Sequence, residues 1–194
     1  MCNKISPVNN DINVYILQHS DEVKNAKGTA IIAGLYLKNC TVWKVDNLQH
    51  NNALNELIEK QDDSTYIVYP DNNSIQLQDW TERINHQNNQ LKAEKYNLIF
   101  IDASWRKAKK IWHSLPVLHS ISCIRLAQKQ ISNYRIRKIP EPGHLSTIEA
   151  IVACLAAAEN NSEKFQPLLD VFDKMIDGQI ENMGEQVFSN NYQQ

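Results

Sequence analysis

The 194-residue chain lacks any apolar run that approaches the roughly 20 residues needed to span a membrane. Residues 1–7 also lack the apolar core of a secretory signal peptide. With 42% hydrophobic and 22% charged residues, the composition is typical of a soluble globular protein. These absences argue against a membrane protein, and we expect a cytoplasmic one.

Cysteine is scarce, and the four cysteines are scattered through the chain. Cys2, Cys40, Cys123 and Cys154 form no Cys-X-X-Cys pair, and no histidine lies near them at metal-ligand spacing. The pattern therefore favours neither a zinc site nor a disulfide framework. It predicts buried or incidental thiols in a reducing cytoplasm.

Acidic residues are missing from one long segment, residues 103–140. The segment contains nine cations, which are Arg106, Lys107, Lys109, Lys110, Arg125, Lys129, Arg135, Arg137 and Lys138. The remainder of the chain has 11 cations and 22 anions. The segment therefore has a net charge of +9, and the remainder of the chain has a net charge of −11. Solvated basic faces usually include some acids, so the pattern favours a polyanionic partner, most commonly nucleic acid. Charge alone does not separate RNA from DNA.

Short apolar runs alternate with helical patterns along the chain. Extended segments are predicted at 14–17, 41–45, 66–69, 97–101 and 120–126. Helices are predicted at 29–37, 52–60, 105–112 and 145–158, in the polar stretch between the third and fourth strands, and once or twice over 163–183. This alternation predicts an α/β fold with a mostly parallel sheet and helices on both faces. The length suits one domain over residues 1–194, with a core of about 12–160 and C-terminal helices at 161–184.

Polar clusters follow three of the predicted strands, at residues 19–22, 69–72 and 102–105. Because the carboxyl ends of parallel strands meet at one edge, these clusters predict a ligand site there. Asp102 has two interpretations: an acid that acts as a base or orients a ligand, or an N-cap of the following helix. The residue types alone favour the cap.

The helix predicted at 145–158 opens with Ser146, Thr147, Ile148 and Glu149, a capping-box pattern. A helix N-terminus of this kind also suits a carboxylate or phosphate. Structural capping and ligand binding need not compete at this position.

Three blocks of residues occur in order along the chain. They are Gln18-His19-Ser20-Asp21-Glu22, then Asp102-Ala103-Ser104-Trp105-Arg106-Lys107-Ala108, then Tyr134-Arg135-Ile136-Arg137-Lys138 with Leu145-Ser146-Thr147-Ile148-Glu149-Ala150. From about residue 14 to 155, the chain resembles the DTW-domain family of tRNA-uridine aminocarboxypropyltransferases. It departs from the family pattern at Ser104, where the family has Thr, and at Ser20, where it has Pro. Of the cysteine cluster that many members carry, only Cys2 is left, so we expect no metal.

The resemblance implies a specific reaction. The family uses S-adenosylmethionine to add a 3-amino-3-carboxypropyl group to N3 of a tRNA uridine, at position 47 of the variable loop in bacterial relatives, and releases methylthioadenosine. The resemblance also implies a SPOUT-like fold with a C-terminal trefoil knot. The expected partners are therefore S-adenosylmethionine and tRNA; the oligomeric state stays open.

The resemblance and the strand-end clusters together assign candidate roles. Asp102 is the candidate general base, or a group that positions the methionine amino group. The candidate cofactor contacts are Gln18, His19, Glu22, Tyr69, Ser104, Trp105, Leu145, Ser146, Thr147 and Glu149. The candidate RNA contacts are Arg106, Lys107, Lys109, Lys110, Tyr134, Arg135, Arg137 and Lys138. For His19 a purely structural role is nearly as good an interpretation, and a Trp in the position of Trp105 is more often part of the core.

Two other functions are compatible with the same residues. One keeps the cofactor and tRNA but transfers the methyl group, and the by-product, adenosylhomocysteine in place of methylthioadenosine, distinguishes it. The other is a non-catalytic RNA-binding module, which predicts that alanine at Asp102 and Glu149 leaves the cellular role unchanged.

Overall fold

The computed structural model describes residues 6–23, 25, 28–45, 52–59, 64–87, 96–127, 132–136 and 145–192. Its strands are β1 (Asn13–Gln18), β2 (Cys40–Lys44), β3 (Thr65–Val68), β4 (Ile75–Gln76), β5 (Asn97–Asp102) and β6 (Ser122–Arg125). Its helices are α1 (Ser20–Val23), α2 (Ala30–Tyr36), α3 (Asn52–Glu59), α4 (Leu77–Gln87), α5 (Trp105–Ser114), α6 (Thr147–Ala158), α7 (Ser162–Met183) and α8 (Glu185–Tyr192). A 3-10 helix spans Pro116–Ser120.

The strands form a six-stranded sheet in the order β2-β1-β5-β3-β6-β4, with every pairing parallel. Strand β5 lies in the middle, between β1 and β3. In the pairing of β1 with β5, Gln18 lies opposite Asp102. The ends of the first and fifth strands are therefore side by side.

Alternate residues of the strands enter two separate hydrophobic clusters. On one face, residues such as Ile16 and Phe100 pack against α2, α4, α6 and α7. On the other face, residues such as Leu17 and Ile99 pack against α3, α5 and the 3-10 helix. Strands covered on both sides need apolar residues at nearly every position, which explains their continuous apolar runs. The prediction of an α/β fold with helices on both faces is confirmed.

The sequence patterns located most of the elements, with a few differences. Strand β4, at two residues, and the short helix α1 carry too little periodicity to be seen in the sequence. The extended segment predicted at 120–126 begins only at Ser122, because Pro116 opens a 3-10 helix before it. The segment predicted to hold one or two helices, 163–183, is the single helix α7, which continues through Pro167. Helix α8 lies beyond that range and was not predicted.

Three of the cysteines lie within the described residues, and all are free thiols. Burial raises the pKa of the Cys123 thiol to about 11 and that of Cys40 to about 12, and it raises the pKa of Cys154 as well. These thiols stay protonated near neutral pH, as expected of structural cysteines.

Two further features concern the described part of the chain. None of its helices combines the length and apolar character needed to cross a membrane. Its His, Cys, Asp and Glu side chains nowhere gather in groups of three or more that could hold a metal ion. The absence of a metal stays a prediction, and Cys2 lies outside the described residues.

Candidate active site

Asp102 is the last residue of β5 and its side chain is buried, with 6% of the residue exposed. The N-cap of α5 is Ser104, two residues later, and its side chain makes no capping hydrogen bond. The interpretation of Asp102 as a helix cap is therefore wrong. A buried carboxylate at the end of a central parallel strand lies where such sheets bind ligands.

Hydrogen bonds to Asp102 join the first, second and last sequence blocks. The Gln18 carboxamide Nε2 donates to Asp102 Oδ2 at 2.9 Å, and the Thr147 hydroxyl donates to Oδ1 at 2.6 Å. The backbone N–H of His19 donates to the Asp102 carbonyl at 3.0 Å. Residues far apart in sequence therefore meet at one carboxylate, which fixes the orientation of its oxygens.

The N-terminus of α6 has the predicted capping box. Glu149 N–H donates to Ser146 Oγ at 3.4 Å, and Ser146 N–H donates to Glu149 Oε2 at 2.7 Å. The same carboxylate also accepts from the Ser132 hydroxyl at 2.7 Å and from Asn133 N–H at 2.6 Å. Glu149 thus ties the segment 132–136 to the helix that carries Thr147. Its oxygens already have these partners, which favours a structural role over the predicted cofactor contact.

We expect Glu149→Gln to lower the free energy of unfolding by about 2 kcal/mol, because an amide N–H₂ would face backbone donors that now meet a carboxylate oxygen. Urea unfolding monitored by circular dichroism measures the loss. Glu163→Gln is the matched control, because Glu163 is the acid in the first turn of α7 as Glu149 is in α6. It should lower the free energy of unfolding by less than about 0.5 kcal/mol. Equal losses in the two variants would show that the contacts of Glu149 add nothing beyond its place in a helix.

The remaining residues of the first block form a small polar network. His19 Nδ1 accepts from Asp21 N–H at 3.1 Å, so the ring caps α1. The Lys107 ammonium lies 2.7 Å from Asp21 Oδ2 and 4.0 Å from Glu22 Oε1. Its hydrogen bond and charge hold the pKa of the Asp21 carboxyl below its ordinary value. Lys107 therefore joins α5 to α1, which leaves it less suited to the predicted RNA contact.

The predicted cofactor residues do not all lie on one side of the sheet. Tyr69 stacks on Trp112 with ring centroids 4.6 Å apart, within the cluster that covers the α3 and α5 face. The Asp102 side chain instead accepts a hydrogen bond from Thr147 of α6, a helix that covers the opposite face of the sheet. Trp105 begins α5 and is 37% exposed, so it is not the core residue that its position in the sequence favoured. Leu145 and Ser104 are half-buried.

Helix α5 presents the clearest cationic face. Ala108, Ile111 and Trp112 point into the core. Arg106, Lys109 and Lys110 are exposed, and with the exposed His113 they follow helical spacing along the other side. We refer to Arg106, Lys109 and Lys110 as the α5 basic face.

Other predicted RNA contacts are differently placed. Tyr134 is buried, 5% exposed, and meets Phe172 edge-on, so its ring is not on the surface that base stacking would require. Arg135 donates to Asp177 of α7 at 2.7 Å. Arg137 and Lys138 lie outside the described residues. The partners of Tyr134 and Arg135 lie on α7, about 40 residues away. The sequence therefore did not show that these two side chains differ from the exposed cations of the segment.

Sequence reasoning also missed a cleft beside Gln18, lined by α1, α2 and β2. The available signal was the composition of α2, Ala-Ile-Ile-Ala-Gly-Leu-Tyr, which is apolar on every side although the helix covers one edge of the sheet. A helix of that kind is either buried all round or binds something on its outer side.

The sequence profile of the DTW domain matches residues 1–180. The chain belongs to the DTW domain family. It is similar to tRNA-uridine aminocarboxypropyltransferase 2 of Drosophila melanogaster, with 32% identity over 87% of this chain and 65% of that protein. It is 23% identical to tRNA-uridine aminocarboxypropyltransferase 2 of Mus musculus, over 97% of this chain and 61% of that protein. This DTW chain thus spans just under two thirds of the length of these relatives, and no solved structure matches it.

Proposed function

We propose that this DTW-domain chain transfers the 3-amino-3-carboxypropyl group of S-adenosylmethionine to N3 of a uridine in tRNA. The observation that carries the proposal is the meeting of three sequence blocks at the buried Asp102 carboxylate. The family membership and the names of the two relatives support the same reaction. A uridine of the variable loop is the proposed target.

The residues at this edge fit the charges of the cofactor. S-adenosylmethionine has a sulfonium, an ammonium and a carboxylate. Glu22 places a carboxylate near the end of β1, where it would attract a positive group of the cofactor. The N-terminus of α6, with its partial positive charge, suits the carboxylate.

Bound there, the cofactor would supply a carbon activated by the neighbouring sulfonium. N3 of uridine would bond to this carbon as the carbon–sulfur bond breaks, and the bonding electron pair would leave with methylthioadenosine. The proton on N3 must leave as well, and Asp102 is the proposed acceptor. Thr147 and Gln18 hold the carboxylate in one orientation, which serves a reaction that depends chiefly on geometry.

The α5 basic face is the proposed contact for the tRNA backbone. Helix α5 begins three residues after Asp102, so its exposed cations start beside the proposed reaction centre. Phosphates held by these side chains would bring the tRNA to the carboxyl edge of the sheet, within reach of that carboxylate.

We also propose that the sheet belongs to a SPOUT-like topology with a C-terminal trefoil knot. The all-parallel pairing and the strand order, in which β5 lies between β1 and β3, support a chain path that returns through the middle of the sheet. A cytoplasmic location and a single domain over residues 1–194 complete the proposal.

The decisive experiment incubates the purified chain with unmodified tRNA and S-adenosylmethionine. We expect methylthioadenosine to be released in equal amount to the modified nucleoside, whose mass rises by one aminocarboxypropyl group. Adenosylhomocysteine with a methylated nucleoside would show a methyltransferase instead. If neither by-product forms and the chain still binds tRNA, the chain is a non-catalytic RNA-binding module.

A further inference from the structure

Trp105 is an aromatic residue that the fold leaves exposed. It is the one aromatic among the six large hydrophobic residues that are exposed in the described part of the chain. Trp80 and Trp112 are buried, and Trp43 is half-buried. Trp105 also has contacts within the chain, and 37% of the residue is exposed with those contacts in place. Tryptophan is highly buried on average and is enriched where proteins bind partners.

The position of Trp105 on helix α5 lies at the border between the buried side of the helix and the α5 basic face. Trp112, seven residues later, is on the buried side, and Lys109, four residues later, belongs to the basic face. Residues at these spacings are neighbours along one side of a helix. The indole therefore lies next to the cations that are proposed to contact the tRNA backbone.

The direction of the Trp105 side chain brings it toward the proposed reaction centre. Helix α5 begins at the carboxyl edge of the sheet, three residues after Asp102. Side chains of an α-helix lean toward its N-terminus and cover the preceding turn, and Trp105 is the first residue of α5. The indole therefore extends toward the edge where Asp102 ends strand β5. Trp112 lies further along the helix and leans onto the sheet, which explains why it is buried and Trp105 is not.

We propose that Trp105 stacks on the base of the target uridine in tRNA. This inference rests on the proposed function and adds the contact that holds the base. A uridine whose N3 meets Asp102 and whose phosphates meet the α5 basic face has Trp105 between these two contacts. Lys109 lies four residues, about 6 Å along the helix axis, beyond Trp105, a spacing that one nucleotide bridges between base and phosphate. Aromatic side chains commonly stack on unpaired RNA bases.

The surroundings of Trp105 favour the base over the cofactor contact that the family resemblance implies. Its neighbours on α5 are cations suited to phosphates. The N-terminus of α6, proposed to attract the cofactor carboxylate, belongs to a helix on the opposite face of the sheet from α5. The indole therefore lies on the RNA side of Asp102.

Two substitutions of Trp105 test the contact. Trp105→Ala should raise the Kd for unmodified tRNA about tenfold, because the stacked surface is lost. Trp105→Phe keeps a ring that can stack, so its Kd should stay within about threefold of the wild-type value. The slope of log Kd against log salt and the Kd for S-adenosylmethionine should be unchanged in both, since no phosphate or cofactor contact is removed. Val187→Ala, which shortens a 49% exposed apolar side chain on α8, is the matched control and should bind tRNA like the wild type.

Tryptophan fluorescence reports the same contact directly. The chain has four tryptophans, so the emission of each variant is compared with that of the wild type. Binding of tRNA should quench part of the emission, and this quench should disappear in Trp105→Phe although that variant still binds. Trp43→Phe removes a half-buried indole that stacks on Tyr15, and as the matched control it should retain the quench. This measurement decides the question even if Trp105→Ala does not fold.

The outcomes are separable. A wild-type chain that forms no aminocarboxypropyl product overturns the proposed function, and with it the identity of the stacked base. An active wild type together with an unchanged Kd for tRNA in Trp105→Ala overturns the inference alone, as does a quench that persists in Trp105→Phe. A raised Kd for S-adenosylmethionine with an unchanged Kd for tRNA would show that Trp105 contacts the cofactor instead.

Discussion

Asp102→Asn is expected to reduce turnover about a thousandfold, within the range that loss of a general base typically produces. Asparagine has nearly the shape of aspartate and keeps an oxygen that accepts from Thr147. Gln18 can rotate its amide to meet the new NH₂ group, so the hydrogen bonds around residue 102 are retained. What is lost is the ability to accept a proton from N3 of uridine.

Single-turnover release of methylthioadenosine measures this effect at saturating tRNA and cofactor. The Kd values for both substrates should remain within about twofold, because the substitution removes an interaction made mainly in the transition state. Asp79→Asn, the same chemical change at an exposed residue of α4, is the control and should leave turnover unchanged. Near-normal turnover in Asp102→Asn would remove this residue from proton transfer, and a large loss of cofactor binding would favour its alternative role in positioning the methionine amino group.

Replacing the α5 basic face, as Arg106→Gln/Lys109→Gln/Lys110→Gln, should weaken tRNA binding roughly 10- to 100-fold at low salt. The slope of log Kd against log salt should fall in magnitude by about 2 to 3, since each phosphate contact releases part of a counterion. Turnover at saturating tRNA should stay within about twofold, because these side chains position the RNA and take no part in the chemistry.

The matched control is Lys38→Gln/Arg83→Gln/Lys174→Gln. It removes the same three charges from exposed positions outside the basic segment. Filter binding or fluorescence anisotropy across a salt series compares the two triple variants. If both lose affinity equally, only net charge matters, and if neither changes, the α5 basic face is not the RNA surface.

The sequence predicts best those strands and helices that a single local residue pattern specifies. The buried strands have continuous apolar runs, and the N-terminus of α6 carries its own capping residues, so β1, β5 and α6 were located to within two residues. The site edge was also foreseeable, because parallel strands must end together. The position of Asp102 at the end of a strand and not at a helix cap was not, since the two look alike until the backbone position of Ser104 is known.

For the basic segment, residues 103–140, the local pattern does not show how the charges are used. Its nine cations appear as one feature in sequence, but the fold divides those that the structure describes. The α5 basic face is exposed, Lys107 lies against Asp21, and Arg135 lies against Asp177. Composition alone gives the net charge of a segment. Packing between distant elements decides which partner each charged side chain has.

The sequence by itself determined the fold class, the order of most elements and the candidate site residues, because apolar periodicity and motifs are local properties of the chain. Only the tertiary structure decided that Gln18 and Thr147 hold Asp102, that Glu149 anchors the segment 132–136, and that an apolar cleft opens beside Gln18. These arrangements join residues up to 84 positions apart. Their geometry follows from how strands and helices pack, and no local stretch of sequence contains it.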